Sequence, residues 1–145
     1  MILKEDSTEQ KLRGAYYTPL KLAEKMVDYF KKDASIKSIL EPSCGDGVFV
    51  DALVETQFFT QNRKVTAIEI EKNEAQKVAK KLKNNPNVSV VNRDFFEFYQ
   101  KYKDINKYDL ILGNPPYIRY QYLEEKQRME MAEILISHGM KANKL

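Results

Sequence analysis

Gly113-Asn114-Pro115-Pro116-Tyr117 directly follows the apolar run Tyr108-Asp109-Leu110-Ile111-Leu112. Two consecutive prolines fix φ at both positions and remove two backbone donors, and Pro116 also pushes Pro115 toward an extended conformation. What results is a stiff loop rich in acceptors. The Asn114 side chain and the Pro115 carbonyl can accept hydrogen bonds from an amino group, and Tyr117 offers a flat face on which a ring can stack. Together they suit an exocyclic amine on a planar heterocycle. The alternative is a double-proline turn of purely structural purpose; the aromatic residue placed immediately after it favours function.

Three further clusters hold residues of similar promise. In Glu41-Pro42-Ser43-Cys44-Gly45-Asp46-Gly47 the pair Gly45-x-Gly47 lets backbone approach a ligand closely, and a glycine turn leading into a helix commonly receives a cofactor. Many strand-to-helix turns need glycine for steric reasons alone, and the third glycine of the dinucleotide fingerprint is missing. No Gly-Lys-Ser/Thr follows, so this is no phosphate loop; Glu41 and Asp46 favour a cationic or amine-bearing ligand. Glu69, roughly twenty residues past the turn, stands where an acid can accept both hydroxyls of a ribose, and Ile70 beside it can pack against an adenine ring. A solvated acid at a strand end is the plain reading of the same residue. Asp94-Phe95-Phe96 pairs an acceptor for an amino edge with apolar surface, although Phe95 reads equally well as core.

Cys44 reads as a small turn residue rather than a nucleophile, because the only histidine, His138, lies far along the chain and reads as a helix-terminal residue. A lone cysteine excludes an internal disulfide, and one cysteine with one histidine is a poor supply of metal ligands. No structural metal is expected, and the compartment is expected to be reducing. Lys77, Lys80, Lys81 and Lys83 read as a solvated helix face.

The elements that must position these clusters alternate along the chain. Thr18-Pro19 predicts an N-cap and first turn for a helix whose apolar positions are Leu22, Ala23, Met26, Val27 and Phe30, closed by Lys31-Lys32-Asp33. Ser38 to Pro42 predicts a first strand, Val48 to Phe58 a helix, and Lys64 to Ile70 a second strand. Asn73 is the expected cap of a helix with Ala75, Val78, Ala79 and Leu82 on its buried stripe, stopped by Asn84-Asn85-Pro86-Asn87. Val88 to Val91 is the third strand. Phe95, Phe98, Tyr99 and Tyr102 recur at helical spacing, Tyr108 to Leu112 is the fourth strand, and Tyr120 to about His138 a last helix. Such alternation implies right-handed βαβ units and a parallel sheet, with its binding crevice beyond the carboxyl ends of the strands. All four clusters fall at such ends.

With 145 residues, 43% of them hydrophobic, the chain can build one core and has no room for a second domain. Its 24 Lys+Arg against 21 Asp+Glu, a net charge of +3, tolerate a nucleic-acid partner without arguing for one. The N-terminus turns charged too soon for a secretory signal, and no apolar stretch approaches the roughly 20 residues that span a bilayer. A soluble cytoplasmic protein without membrane contact is expected.

In this order the motifs resemble those of the S-adenosylmethionine-dependent DNA adenine-N6 methyltransferases of the gamma motif order, in particular the Asn-Pro-Pro-Tyr enzymes of bacterial restriction-modification systems. The resemblance runs from Gly14 to about Leu145. It implies that Asn114, Pro115, Pro116 and Tyr117 are catalytic, and that Tyr17 and Thr18, within Gly14-Ala15-Tyr16-Tyr17-Thr18-Pro19, close over the methionine part of S-adenosyl-L-methionine. Glu41, Ser43, Cys44 and Gly45 would form the cofactor loop, Glu69 would hold the ribose, and Ile70, Asp94 and Phe95 would surround the cofactor adenine. The family's fold is a Rossmann-like α/β sheet of strand order 3-2-1-4-5-7-6, of which this chain is expected to supply about four parallel strands, 3-2-1-4, with flanking helices. Residues 1–145 are accordingly expected to be the N-terminal part of a catalytic domain, without a target-recognition domain.

The partner implied is double-stranded DNA, engaged through a flipped adenine by the full-length protein in a bacterial cytoplasm. An unpaired strand-four edge would invite self-association or a C-terminal half. The chain alone is expected to bind cofactor weakly and to methylate little. Methylation of a protein glutamine amide or an RNA base, and a non-catalytic remnant or half of a split enzyme, stand as alternatives.

Overall fold

A strand covered on both faces must be apolar at successive positions rather than alternate ones. The two strands at the centre of the sheet follow that rule in the computed structural model of this chain, which describes residues 18–117 and 123–142. Two compact units result, Tyr17–Pro115 and a second formed by Met1–Tyr16 with Pro116–Leu145.

The first unit holds β1 (Ser38–Glu41), β2 (Lys64–Glu69), β3 (Val88–Asn92) and β4 (Leu110–Ile111), hydrogen-bonded in the order β3-β2-β1-β4. All three pairings are parallel, with Ile39 opposite both Val65 and Leu110, and Glu69 opposite Asn92. This is the strand order the family resemblance implies. Helix α1 (Leu20–Lys31) precedes β1, and α2 (Val48–Glu55), α3 (Lys72–Lys81) and α4 (Phe95–Tyr102) connect the strands, with a short 3-10 turn at Phe58–Gln61. On one face Ile39, Val65 and Leu112 pack with Ala23 and Val27 of α1 and Phe49, Ala52 and Leu53 of α2, while Ala67 meets Val50 and Val78 of α3. On the other, Leu40 and Ile68 pack with Phe98 of α4. The result is a three-layer α/β/α unit with every strand's carboxyl end on one rim.

Element ends depart most from expectation in four places, the first being α2, which ends at Glu55 and leaves Phe58 to the following 3-10 turn. Helix α1 has Pro19, not Thr18, at its N-cap, and no side chain caps it. Helix α3 starts at Lys72 with Glu71 as N-cap rather than Asn73, because the turn is already closed by Glu71 N–H donating to the Glu69 carboxylate at 2.8 Å. Strand β4 keeps only Leu110–Ile111 of the expected five residues; just before it Asp109 N–H still donates to Ser38 O at 2.9 Å, and its side chain accepts hydrogen bonds from Lys37 N, Ser38 N and Ser38 Oγ at 2.8 to 2.9 Å.

At the amino end of the sheet, Arg63 is buried with its guanidinium 3.9 Å over the Phe58 ring. It donates to the carbonyls of Ile36, Phe58, Lys31 and Asp33, and so satisfies acceptors where α1 ends. In the second unit α5 (Glu125–Ser137) opens on a capping box formed by Glu124 and Gln127. His138 follows it, and Gly139 at φ +71 ends the helix. The expected start at Tyr120 lies outside the described residues.

Candidate functional site

The rim takes its shape from the turn after β1. Cys44 N–H donates to Ile68 O at 2.8 Å, and Gly45 N–H donates to Glu69 Oε2 at 2.7 Å, so the turn is tied to the end of β2 by main chain and side chain together. The glycines divide the roles between them. Gly47, at φ +87, is the N-cap of α2, and a Cβ there would meet both Val78 methyl groups at 3.1 Å; its need is conformational and steric. Gly45 also has positive φ, +53, but a Cβ there would meet nothing within 4 Å. Space opens above that peptide.

Glu41 ends β1 inside the protein, 2% exposed, and its Oε2 finds no hydrogen-bond partner among the described residues. Burial holds its carboxyl well above the usual carboxylate range, and the charges of Asp46, Asp51 and Glu69 push the same way. Ser43 Oγ, two residues on, is likewise buried and without a partner among the described residues. Cys44 is buried, and that burial, more than the nearby Glu41 and Glu69, drives its thiol up as well.

Glu69 is buried with both carboxylate oxygens engaged, Oε2 by Gly45 N–H and Oε1 by Glu71 N–H. Each oxygen has a second lone pair. Ile70 beside it is 59% exposed, a large apolar side chain presented to solvent at the rim. Asp94 is the N-cap of α4, its Oδ1 accepting from Phe96 N at 2.7 Å and Glu97 N at 3.1 Å. Phe95 is half-buried against the Leu40–Ile68–Phe98 cluster, so its core reading is met.

At β4 the chain passes tightly over the end of β1. A Cβ on Gly113 would lie 3.3 Å from Pro42 Cδ and 3.7 Å from Glu41 Cγ. This brings Asn114 to the rim, where its Nδ2 donates to Thr18 Oγ1 at 3.2 Å. Thr18, expected to cap α1, instead links the start of that helix to the Asn-Pro-Pro-Tyr loop. The loop divides between the units: Asn114 and Pro115 belong to the first, Pro116 and the 70% exposed Tyr117 to the second. Tyr17 lies outside the described residues.

The first unit thus brings Thr18, Glu41, Ser43, Cys44, Gly45, Glu69, Ile70, Asp94 and Asn114 to one end of one sheet. Gly113, which opens the Asn-Pro-Pro-Tyr motif, allows the close approach of the β1 and β4 ends. Asn92, which the sequence did not single out, ties down Glu69 and Ile70 with its side-chain amide. It carries no local signature, since its role depends on which strand ends become neighbours. Among the described residues no three His, Cys, Asp or Glu side chains gather as a metal site, and no helix is long and apolar enough to cross a membrane.

The fold is that of the Rossmann-like methyltransferases. Comparison with known proteins agrees: a modification subunit described as belonging to a type I restriction enzyme of Vibrio vulnificus YJ016 superposes with a TM-score of 0.59 at 17% identity, over 94% of this chain and 36% of that one. At the level of sequence, residues 8–143 match the family described as Eco57I restriction-modification methylase, and the chain belongs to that family. It is 31% identical over 128 residues to the type II methyltransferase M.HincII of Haemophilus influenzae, covering 88% of this chain and 22% of the relative. It is also 32% identical over 84 residues to the tRNA1(Val) (adenine(37)-N6)-methyltransferase of Photorhabdus laumondii, covering 56% of this chain and 33% of that protein. The chain therefore spans about a fifth of the length of M.HincII.

Proposed function

We propose that this chain carries the cofactor site and transfer loop of an S-adenosyl-L-methionine-dependent DNA adenine-N6 methyltransferase of a restriction-modification system, acting in the bacterial cytoplasm. Residues 1–145 are the N-terminal part of its catalytic domain, and double-stranded DNA is the partner of the whole protein. The observation that carries this reading is the acid-lined turn, open above Gly45 and tied to Glu69, on the same rim as Asn114. The residues fit the cofactor. Buried, unpartnered Glu41 Oε2 and Ser43 Oγ suit its polar methionine end, with Tyr17, Thr18 and Cys44 completing that side. Glu69, held by two backbone N–H groups, keeps lone pairs for ribose hydroxyls; Ile70, Asp94 and Phe95 flank the adenine.

Bound there, the cofactor supplies a sulfonium methyl group. The transfer loop handles the acceptor. An adenine amino group cannot reach the rim while stacked and paired, so the base leaves the duplex at a cost of a few kcal/mol. Stacking on an aromatic such as Tyr117 returns about 1–3 kcal/mol. Thr18 takes one N–H of the Asn114 amide, which fixes the amide plane and so orients its Oδ1. That oxygen and the Pro115 carbonyl accept the two amino protons, directing the nitrogen lone pair along the line of attack. Pro116 stiffens the turn. Catalysis is positioning and electrostatics, with no covalent intermediate on the protein.

The likeness to the tRNA1(Val) enzyme supports a second reading, an adenine in RNA. The half-exposed edge of β4, with Ile111 65% exposed, is the proposed place for a C-terminal half or a second copy to pair. Labelled methyl transfer with duplex DNA, RNA and protein offered in parallel tests the assignment. Label in DNA supports it; label confined to RNA or to glutamine in protein overturns it.

A further inference from the structure

We infer that Asn92, at the end of β3, is a positioning residue that holds Glu69 and Ile70 in the arrangement a nucleoside cofactor requires. The inference rests on the cofactor reading above and extends it to a residue outside the motifs.

The β2–β3 ladder ends at the rung Glu69–Asn92. Past it the backbone of β2 turns toward α3; Glu69 O takes the last main-chain bond of the ladder, from Arg93 N–H, and the Ile70 carbonyl has no strand main-chain donor ahead of it. Asn92 Nδ2 donates to both, at 2.8 Å to Glu69 O and 2.9 Å to Ile70 O, and Arg93 N–H joins at Glu69 O at 3.0 Å. The side chain thus continues the ladder by one rung that the main chain cannot make. Serving two successive carbonyls requires a planar group with two protons on one nitrogen, which a short amide supplies. An aspartate in its place would set oxygen against oxygen. A glutamine would carry the amide one methylene too far.

What is held matters more than the bonds themselves. The Glu69 carboxylate reaches back to Gly45 N–H and forward to Glu71 N–H, so the backbone direction at Glu69 decides whether the turn after β1 and the turn after β2 stay linked. Ile70 presents its apolar face to solvent at 59% exposure and has few neighbours to fix it. A ring stacking there meets a surface only as definite as the Ile70 peptide. Asn92 defines that peptide from the next strand.

The test compares the 145-residue chain with its Asn92→Ala and Asn92→Asp variants in two measurements. Calorimetric titration with S-adenosylhomocysteine should show about tenfold weaker binding in Asn92→Ala, from the loss of two hydrogen bonds, and weaker still in Asn92→Asp, with melting temperatures within a few degrees of wild type. On a Glu69→Ala background, Asn92→Ala should weaken binding by less than about twofold further, since both act through one group. Amide hydrogen exchange without ligand should be faster at Gly45 and Glu71 in Asn92→Ala. Affinity within twofold of wild type in a folded Asn92→Ala, or unchanged exchange at both amides, overturns the positioning role. Wild type that binds no S-adenosylhomocysteine, with the exchange difference present, overturns the cofactor reading instead.

Discussion

Glu41 is the residue on which the electrostatics of the rim concentrate. Its folded-state affinity for a proton is raised, chiefly by burial and then by Asp46, Asp51 and Glu69, above the ordinary value of 4.5. The folded protein therefore binds this proton more tightly than the unfolded chain. The associated stability is full below pH 4.5 and falls as pH rises through the raised folded value. Glu41→Gln, which keeps the shape without the charge, should melt higher than wild type by a margin that widens from pH 5 upward. Parallel melting curves at all pH values would contradict this. Cys44 sits in the same buried turn, so its thiol should react with an aromatic disulfide reagent about a hundredfold or more slower in native protein than after denaturation. Equal rates would mean that the turn is open. At this scale the sequence showed the acids and glycines as candidates, because residue types announce their chemistry. It did not show Asn92, whose role exists only once β3 stands beside β2, nor the steric role of Gly113, which arises only once β4 lies beside β1.

Individual elements were legible where hydrophobic pattern decides and less so where local hydrogen bonds do. Ala23 and Val27 mark the buried face of α1, and Ala75 and Val78 that of α3, as their spacing predicts. The caps of α1 and α3 did not follow residue preference, although Asp94 at α4 did. Glu71 displaced Asn73 as N-cap because the Glu69 carboxylate already closed the turn, and Thr18 gave its hydroxyl to Asn114 instead of to its helix. The glycine turn could be read either as steric or as ligand-facing, and its two glycines resolve the choice differently. Gly47→Ala must bear φ +87 and a contact of 3.1 Å with Val78, and should cost about 2–4 kcal/mol. Gly45→Ala bears positive φ alone, in open space, and should cost about 1 kcal/mol. Urea unfolding of both variants checks the difference; equal losses would mean that Val78 yields without cost.

For the whole molecule, strand order is the least local property and the one that gathers the clusters. Alternating elements imply a parallel sheet, but the order β3-β2-β1-β4 came from the resemblance of motifs to a known family, since periodicity cannot say which strands are neighbours. Given that order, the ends of β1, β2, β3 and β4 share a rim, and residues separated by as much as Thr18 and Asn114 become hydrogen-bonded. Arg63 shows the complementary arrangement at the other end, where a buried cation gathers four carbonyls and has a structural role only. Membership of the Eco57I restriction-modification methylase family supports the proposal of methyl transfer at the rim, and the Asn-Pro-Pro-Tyr loop narrows that proposal to an amino group. The measurement that tests this most directly is labelled methyl transfer from S-adenosyl-L-methionine to duplex DNA by the whole protein, with the DNA digested to nucleosides, for wild type and Asn114→Ala. The account predicts label in N6-methyl-2′-deoxyadenosine with wild type, and none with Asn114→Ala although S-adenosylhomocysteine still binds. Label in a cytosine derivative, or undiminished transfer by Asn114→Ala, would contradict it.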